Sequence, residues 1–375
     1  MLSISNLSEN TIKTIICEIF VKDTAKDELQ KLFNDLCKTN CHFEIIKNLM
    51  ENYEIDPSAQ DNYAIRIASQ NNHLKVVKLL LQNEKVDPSA QDNYAIRYAS
   101  EFGHIEIVKL LLQNEKVEPS AQDNYAIRYV SEFGHIEIVK LLLQNEKVDP
   151  TAQDNYAIRY ASENGHIEVV KLLLQNEKVD PIAQNNYAIR YASEFGHIEI
   201  VKLLLQNEKV DPTAQNNYAI RYASGNGQVE VVKLLLQNEK VDPTAQNNYA
   251  IRYASENGHI EVVKLLLGSN KLDLSTITDK ATKKMIKKLL PQKLYIEEIV
   301  QLMISTNIIR IDISQKDDNI SITRIFSDNN KDKNNTNIKL TENKLINIIN
   351  DNNIISVDIS NNINIVFKKC TYDLA

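Results

Sequence analysis

Asp-Pro, once replaced by Glu-Pro, recurs at 56/57, 87/88, 118/119, 149/150, 180/181, 211/212 and 242/243, and every interval is 31 residues. The text around it returns almost unchanged. Pro150 to Asp180 reads PTAQDNYAIRYASENGHIEVVKLLLQNEKVD, and its neighbours differ from it at few positions. Fixed self-similarity at this length predicts a stacked solenoid, in which a unit that cannot bury its apolar face alone buries it against the next. Function is thereby limited to what a long repeated surface can do.

At 375 residues, with 43% hydrophobic and 25% charged residues, the chain has ordinary globular composition and enough material for a large core. A net charge of -7 opposes close approach to nucleic acid phosphates or an anionic membrane, so either role needs a local basic patch. Cys17, Cys37, Cys41 and Cys370 lie outside the well-preserved repeats, and Cys37 and Cys41 are one helical turn apart rather than at a zinc-finger spacing. They read as small buried hydrophobes in a reducing compartment. Lys13 and Glu18 interrupt the only apolar stretch near the N-terminus, which leaves no signal-peptide pattern, and no segment approaches a transmembrane length. An intracellular location is expected.

Along the chain, residues 1–25 predict a capping helix with Ser8 as N-cap and Ile12, Ile15, Ile16, Ile19 and Phe20 on one face. Residues 26–56 keep the period but not the text: Leu29, Leu32, Phe33 and Leu36 mark one helix, and Phe43, Ile45, Ile46, Leu49 and Met50 a second. This is a degenerate terminal repeat. Seven units of 31 residues fill 57–273. In each, a short helix such as Tyr156–Glu163 is broken at Asn164-Gly165 and followed by a second from His166 to Asn176. The second carries Ile167, Val170, Leu173 and Leu174 as its stripe and Glu168 and Lys171 on the wet side. Prolines in the connection forbid a continued helix. Residues 274–305 predict two amphipathic capping helices, 279–290 and 295–303. Residues 306–375 alternate Ile with Asn and Asp in four short stretches, with one helix around Leu345, Ile346 and Ile349 and a mobile polar loop at 327–337. The expected fold is an all-α solenoid followed by a small α+β module.

NGHIEVVKLLL resembles the second half of an ankyrin repeat, and AIRYAS stands where that family carries T-P-L-H-x-A-A. The resemblance covers about 26–273 and departs from the family in two ways. The period is 31 rather than 33, which points to the hairpin loop as the shortened part, and Tyr-Ala-Ile-Arg replaces Thr-Pro-Leu-His. In this form the text is similar to arrays encoded by giant DNA viruses of amoebae and by some amoeboid protists. In the family, Thr and His tie the first helix to neighbouring loops. Here Arg66, Arg97, Arg128, Arg159, Arg190, Arg221 and Arg252 form a ladder instead, which reaches either loop carbonyls and acids of an adjacent unit or a ligand.

Features that could carry chemistry resolve mostly into structure. His42, His73, His104, His135, His166, His197 and His259 share one repeat position, and a one-dimensional stack holds them apart. Tyrosine falls in two ladders, Tyr63 to Tyr249 and Tyr98 to Tyr253. Such ladders can stack bases, but here they read as packing between repeats. Lys280, Lys283, Lys284, Lys287 and Lys288 read as the solvated face of a capping helix, against a nuclear-import or anionic-surface patch. No phosphate loop, HExxH or nucleophile elbow is present. No catalysis and no cofactor or metal is expected.

Positions that vary between repeats describe a partner better than those that do not. The resemblance implies that partners lie along the tips and inner helices of the concave surface. The tip residues are Asp61, Asp92, Asp123 and Asp154, then Asn185, Asn216 and Asn247. Before the turn stand Phe102, Phe133 and Phe195 against Asn at 71, 164, 226 and 257, preceded by Glu101, Glu132, Glu163 and Glu194 among others. Exposed aromatics among polar groups suit a binding hot spot; phenylalanine wedged between loops is the alternative. The expected function is non-catalytic protein binding by a monomer, with a host protein as partner and the host cytoplasm as location. Leu290, Pro291, Leu294, Ile296 and Ile299 are similar in outline to the F-box-like end of poxvirus ankyrin proteins, which opens a ubiquitin-ligase adaptor as an alternative. A structural or virion component is a third.

Overall fold

The computed structural model describes residues 7–20, 25–39, 42–269, 271–272, 276–289, 308–316, 319–327, 339–340, 346–350 and 353–357. The chain divides into two units, Met1–Thr276 and Ile277–Ala375. The first unit opens with α1 (Glu9–Phe20), whose start is closed by Ser8: its Oγ accepts the Thr11 N–H at 3.2 Å. Ile12 and Ile16 are buried, and α1 packs on α2 (Ala25–Thr39). Helix α2 buries Leu29, Leu32, Phe33 and Leu36, and α3 (Phe43–Asn52) buries Ile45, Ile46 and Leu49. This degenerate pair stacks on the first full repeat, α2 against α4 (Ala59–Gln70) and α3 against α5 (Leu74–Leu80).

Seven helix pairs then repeat. After α4, the first helices are α6 (Ala90–Glu101), α8 (Ala121–Glu132), α10 (Ala152–Glu163), α12 (Ala183–Glu194), α14 (Ala214–Gly225) and α16 (Ala245–Glu256). After α5, the second helices are α7 (Ile105–Leu111), α9 (Ile136–Leu143), α11 (Ile167–Leu173), α13 (Ile198–Leu205), α15 (Val229–Leu236) and α17 (Ile260–Gly268). Each first helix packs on the next first helix, and each second helix on the next second. Helix α10 presents Ala157, Ile158 and Ala161 to the interior, all fully buried. Alanine lets the helices approach, and isoleucine fills the space between them at about 1.5–3 kcal/mol for a fully buried side chain. In α11 the buried set is Val169, Val170 and Leu173, whereas Ile167 and Leu174 of the expected stripe are half-buried. A two-turn helix covered by its own first helix and by a second helix on either side buries its middle, leaving Ile167 at its mouth and Leu174 at its cap.

Among the described residues of 57–272 no strand occurs. Tight turns stand where the family resemblance points to a hairpin. Asn176 Oδ1 accepts the Lys178 N–H at 3.0 Å, the Asn176 carbonyl accepts the Val179 N–H at 3.0 Å, and Asp180 Oδ1 accepts the Ile182 N–H at 3.1 Å. The chain then makes a left-handed turn of three residues at the head of every first helix. In α10 these are Gln153, Asp154 and Asn155, at φ 53°, 54° and 60°, and the right-handed helix begins at Tyr156. Left-handed residues other than glycine cost on the order of 1–3 kcal/mol each, least for Asn and Asp. Three side chains hold the turn in place. Arg159 donates Nε–H to the Asp154 carbonyl at 2.9 Å and an Nη2–H to the Gln153 carbonyl at 3.0 Å. Asn155 Oδ1 accepts the N–H of Asp180, the last residue before the next repeat, at 2.7 Å. Asp154 Oδ2 accepts from Gln184 Nε2, of the next repeat, at 2.8 Å.

The arginine ladder is therefore structural, with one difference from expectation. The carbonyls it reaches belong to its own repeat. From the adjacent repeat it meets an aromatic ring: the Arg159 guanidinium carbon lies 5.1 Å from the Tyr187 centroid.

In the second unit, α18 (Lys280–Leu289) starts at Asp279, whose Oδ2 accepts the Thr282 N–H at 2.6 Å, and it buries Thr282 and Ile286 while Lys280, Lys283 and Lys284 are exposed. Strands β1 (Ile308–Lys316) and β2 (Asn319–Ser327) pair antiparallel, β3 (Lys339–Leu340) adds to β2, and β4 (Ile346–Asn350) pairs antiparallel with β5 (Asn353–Val357). Ile346 and Ile349, expected on a helix, lie instead on β4. β-Branched residues among asparagines are poor helix formers, and the register sets Ile348 opposite Ile355 and Ile349 opposite Ile354. The second capping helix at 295–303, the F-box-like residues from Leu290 to Ile299, and the loop at 328–337 lie outside the described residues.

Replacing Arg159 by Ala removes two charge-assisted hydrogen bonds and the contact with the next ring. The midpoint of urea unfolding is expected to fall by the equivalent of about 2 kcal/mol. Lys at 159 is expected to recover little, because an ammonium cannot span two carbonyls as a guanidinium fork does. A midpoint unchanged in the alanine variant would mean that the clasp does not stabilise the stack.

Candidate functional site

The face carrying the left-handed turns and the ends of the first helices is built around the two tyrosine ladders, which merge into one. Tyr156 and Tyr160 have ring centroids 4.1 Å apart, Tyr160 meets Tyr187 of the next repeat at 5.6 Å, and Tyr187 meets Tyr191 at 4.1 Å. The alternation runs unbroken from Tyr94 to Tyr253. Arg66, Arg97, Arg128, Arg159, Arg190 and Arg221 lie between rings of their own and the following repeat. The rings thus pack on one another and on arginine, within and between repeats.

The phenols tie the ladder to the acids that the sequence singled out. Tyr125 donates to Glu101 Oε2 at 2.6 Å, Tyr156 to Glu132 Oε2 at 2.6 Å, Tyr187 to Glu163 and Tyr218 to Glu194 Oε2 at 2.5 Å. Burial, reinforced by the adjacent carboxylate, pushes these four phenols far above the usual tyrosine range, so they remain neutral donors. Glu101, Glu132, Glu163 and Glu194 are half-buried and act first as acceptors between repeats.

The tip acids behave similarly. Asp61, Asp92, Asp123 and Asp154 are exposed, and each accepts from the glutamine of the next turn, Gln91, Gln122, Gln153 or Gln184, at 2.8–2.9 Å. Sequence reasoning missed those glutamines, although their presence at the same place in every unit was the available signal.

Histidine packs against the turn that joins the two helices of the preceding repeat. His104 Nε2 lies 2.8 Å from the Gln70 carbonyl, His135 Nε2 3.1 Å from that of Glu101 and His197 Nε2 2.8 Å from that of Glu163. Gln228, standing in this position, donates to the Glu194 carbonyl at 3.3 Å. Each ring sits against the turn of the repeat before it. A Cβ on Gly103, whose φ is +78°, would lie 2.8 Å from His135 Cε1, so the position demands glycine for both backbone and space. Among the described residues no group of three or more His, Cys, Asp or Glu could hold a metal ion. Cys37 is buried, and burial pushes its thiol up, away from the reactive thiolate.

Phe102, Phe133 and Phe195 remain. They are 49%, 48% and 48% exposed, so they are not wedged between loops. At the equivalent positions Asn164, Asn226 and Asn257 turn back into the stack, donating Nδ2–H to the carbonyls of Glu132, Glu194 and Gly225 at 3.2, 3.1 and 2.7 Å.

Stacked helix pairs bound by side-chain ladders define a helical-repeat scaffold. The family model for ankyrin repeats matches residues 33–123, 124–216 and 189–278, more than half of the chain, and the protein belongs to that family. No match is found among curated proteins. Ankyrin repeats are generally non-enzymatic scaffolds for protein–protein interaction. Among the described residues no helix is long and apolar enough to cross a membrane.

Burial lowers the affinity of His73, His104 and His166 for a proton, and the carbonyl each ring touches offsets this only in part. Since their folded values lie below the unfolded value of about 6.5, the unfolded chain takes up the proton first. Stability is therefore full above that pH and declines as the pH falls through the lowered folded values. Tm is expected to be lower at pH 5 than at pH 7.5. H104Q, which uses the residue already present at 228, is expected to show a smaller decline; an identical decline would remove His104 from this linkage.

Proposed function

We propose that the array is a non-catalytic scaffold that binds a protein along the face formed by the left-handed turns and the first-helix ends. The supporting observation is the exposure of Phe102, Phe133 and Phe195 on a face whose other side chains are tied to neighbouring repeats. Asp61, Asp92, Asp123 and Asp154 at the helix heads, and Glu101, Glu132, Glu163 and Glu194 at the helix ends, keep acceptor capacity beyond their internal bonds. In this reading 26–56 and 57–273 form the array, 1–25 and 274–305 its caps and 306–375 a separate small α+β module, and the protein works as a monomer. A host protein in the cytoplasm is the partner that the resemblance to viral arrays implies.

Recognition on such a face is surface matching. The ladders hold the backbone and most side chains before a partner arrives, so little ordering entropy is lost on binding. Covering the exposed half of one phenylalanine contributes on the order of 1 kcal/mol. The Phe102→Ala, Phe133→Ala double variant is expected to weaken partner binding about tenfold or more, with the far-ultraviolet circular dichroism unchanged. Affinity purification from the native cell with quantitative mass spectrometry measures this, and equal recovery of every partner would remove the face from the reading.

A further inference from the structure

We infer that the partner docks between Ala90 and Asn164 and presents a basic extended segment with two apolar side chains one repeat apart; this rests on the scaffold reading. The apolar part of the surface is uneven along the array. Phe102 and Phe133 follow successive first helices, α6 and α8, and each is about half exposed. Phe195 is isolated, because Asn164 and Asn226 on either side direct their amides into the stack. The choice between Phe and Asn is thus one between apolar surface and an internal tie, and the repeat accepts both.

Charge marks the same stretch. In α6 the residues Asp92, Arg97 and Glu101 leave one net negative charge, and α8 and α10 repeat this with Asp123, Arg128 and Glu132 and with Asp154, Arg159 and Glu163. Before and after, the balance changes. Helix α4 pairs Asp61 with Arg66, α12 pairs Arg190 with Glu194, and α14 keeps only Arg221. The guanidiniums within the negative stretch are engaged by the protein itself: Arg97 and Arg128 each donate to two carbonyls of their own turn. Three successive negative helices around the only adjacent pair of exposed phenylalanines among the described residues favour a cationic partner over an anionic one.

The spacing sets the partner's form. Packed helices lie about 8–10 Å apart. In an extended segment with three residues per turn, side chains at i and i+3 lie on one side about 9 Å apart. Apolar residues at every third position can therefore cover both rings while the intervening Lys or Arg lie beside Glu101 and Glu132 and within the negative field to which Asp92 and Asp123 contribute.

The test uses the full chain and a fluorescein-labelled peptide of repeating Lys-Lys-Leu, with Glu-Glu-Leu and Lys-Lys-Ser peptides for comparison, in fluorescence anisotropy. Every variant takes a residue the chain carries at the equivalent place in another repeat, so folding is retained and is checked by circular dichroism. Saturable binding of Lys-Lys-Leu is expected, about tenfold weaker in F102N/F133N. D92N/D123N is expected to bind severalfold more weakly with a shallower salt dependence. Equal binding of either comparison peptide, or no effect of D92N/D123N, overturns the inference. If F102N/F133N abolishes partner capture from the native cell while D92N/D123N and added salt do not alter it, the scaffold reading stands and the basic segment falls. If neither pair alters capture, both fall.

Discussion

From Arg66 to Arg221, one side chain in each repeat carries two tasks that would otherwise be separate. Its N–H groups close a left-handed turn that the backbone would not hold alone, and its flat face lies on a tyrosine of the next repeat. The local conformation of a unit is therefore coupled to the presence of its neighbour. Among the described residues the coupling lapses in the last repeat: Arg252 Nε has no hydrogen-bond partner, and Tyr253 is among the exposed large side chains. This is the behaviour of a quasi-one-dimensional stack, in which stability resides largely in the interfaces.

Around that clasp, nearly every polar side chain of the turn face has an internal partner. Tyrosine holds glutamate, glutamine holds aspartate, asparagine holds the next backbone N–H, and histidine holds a carbonyl of the preceding turn. The same contacts that make the units stack also remove those residues from the set free to choose a partner. What remains outward is the small group of positions where the stack tolerates alternatives, Phe or Asn before the turn and Asp or Asn at its tip. Recognition and stability are thus divided among positions within one unit.

The helix pairs, the start of each near Tyr156 and Ile167, and the burial of Ala157, Ile158, Ala161, Val170 and Leu173 were legible because period and apolar spacing express directly what a stack must bury. The left-handed turn was not. Gln-Asp-Asn reads as a loop, and only the approach of Arg159 from five residues along, of Asp180 from the end of the unit and of Gln184 from the next repeat makes three left-handed residues tolerable. The exposure of Phe133 was equally undecidable from text, since a ring can lie outward or between loops without any change of pattern. In the last part of the chain, Ile346 and Ile349 fit a helix by spacing, but cross-strand pairing with Val357 and Ile354 placed them on a strand.

By itself, the sequence determined that this is an ankyrin array, how long its period is, and which residues are apolar enough to be interior, because repetition at fixed spacing leaves a helical unit one way to bury its face. Tertiary structure decided what the arginines, tyrosines, histidines and acids are for. Their partners lie in their own turn or in the adjacent unit, and whether two such groups meet depends on how closely the units pack. It also decided that the phenylalanines face solvent: a ring has no polar group with which to reach a carbonyl of the preceding turn, as the asparagine amide does at the same position.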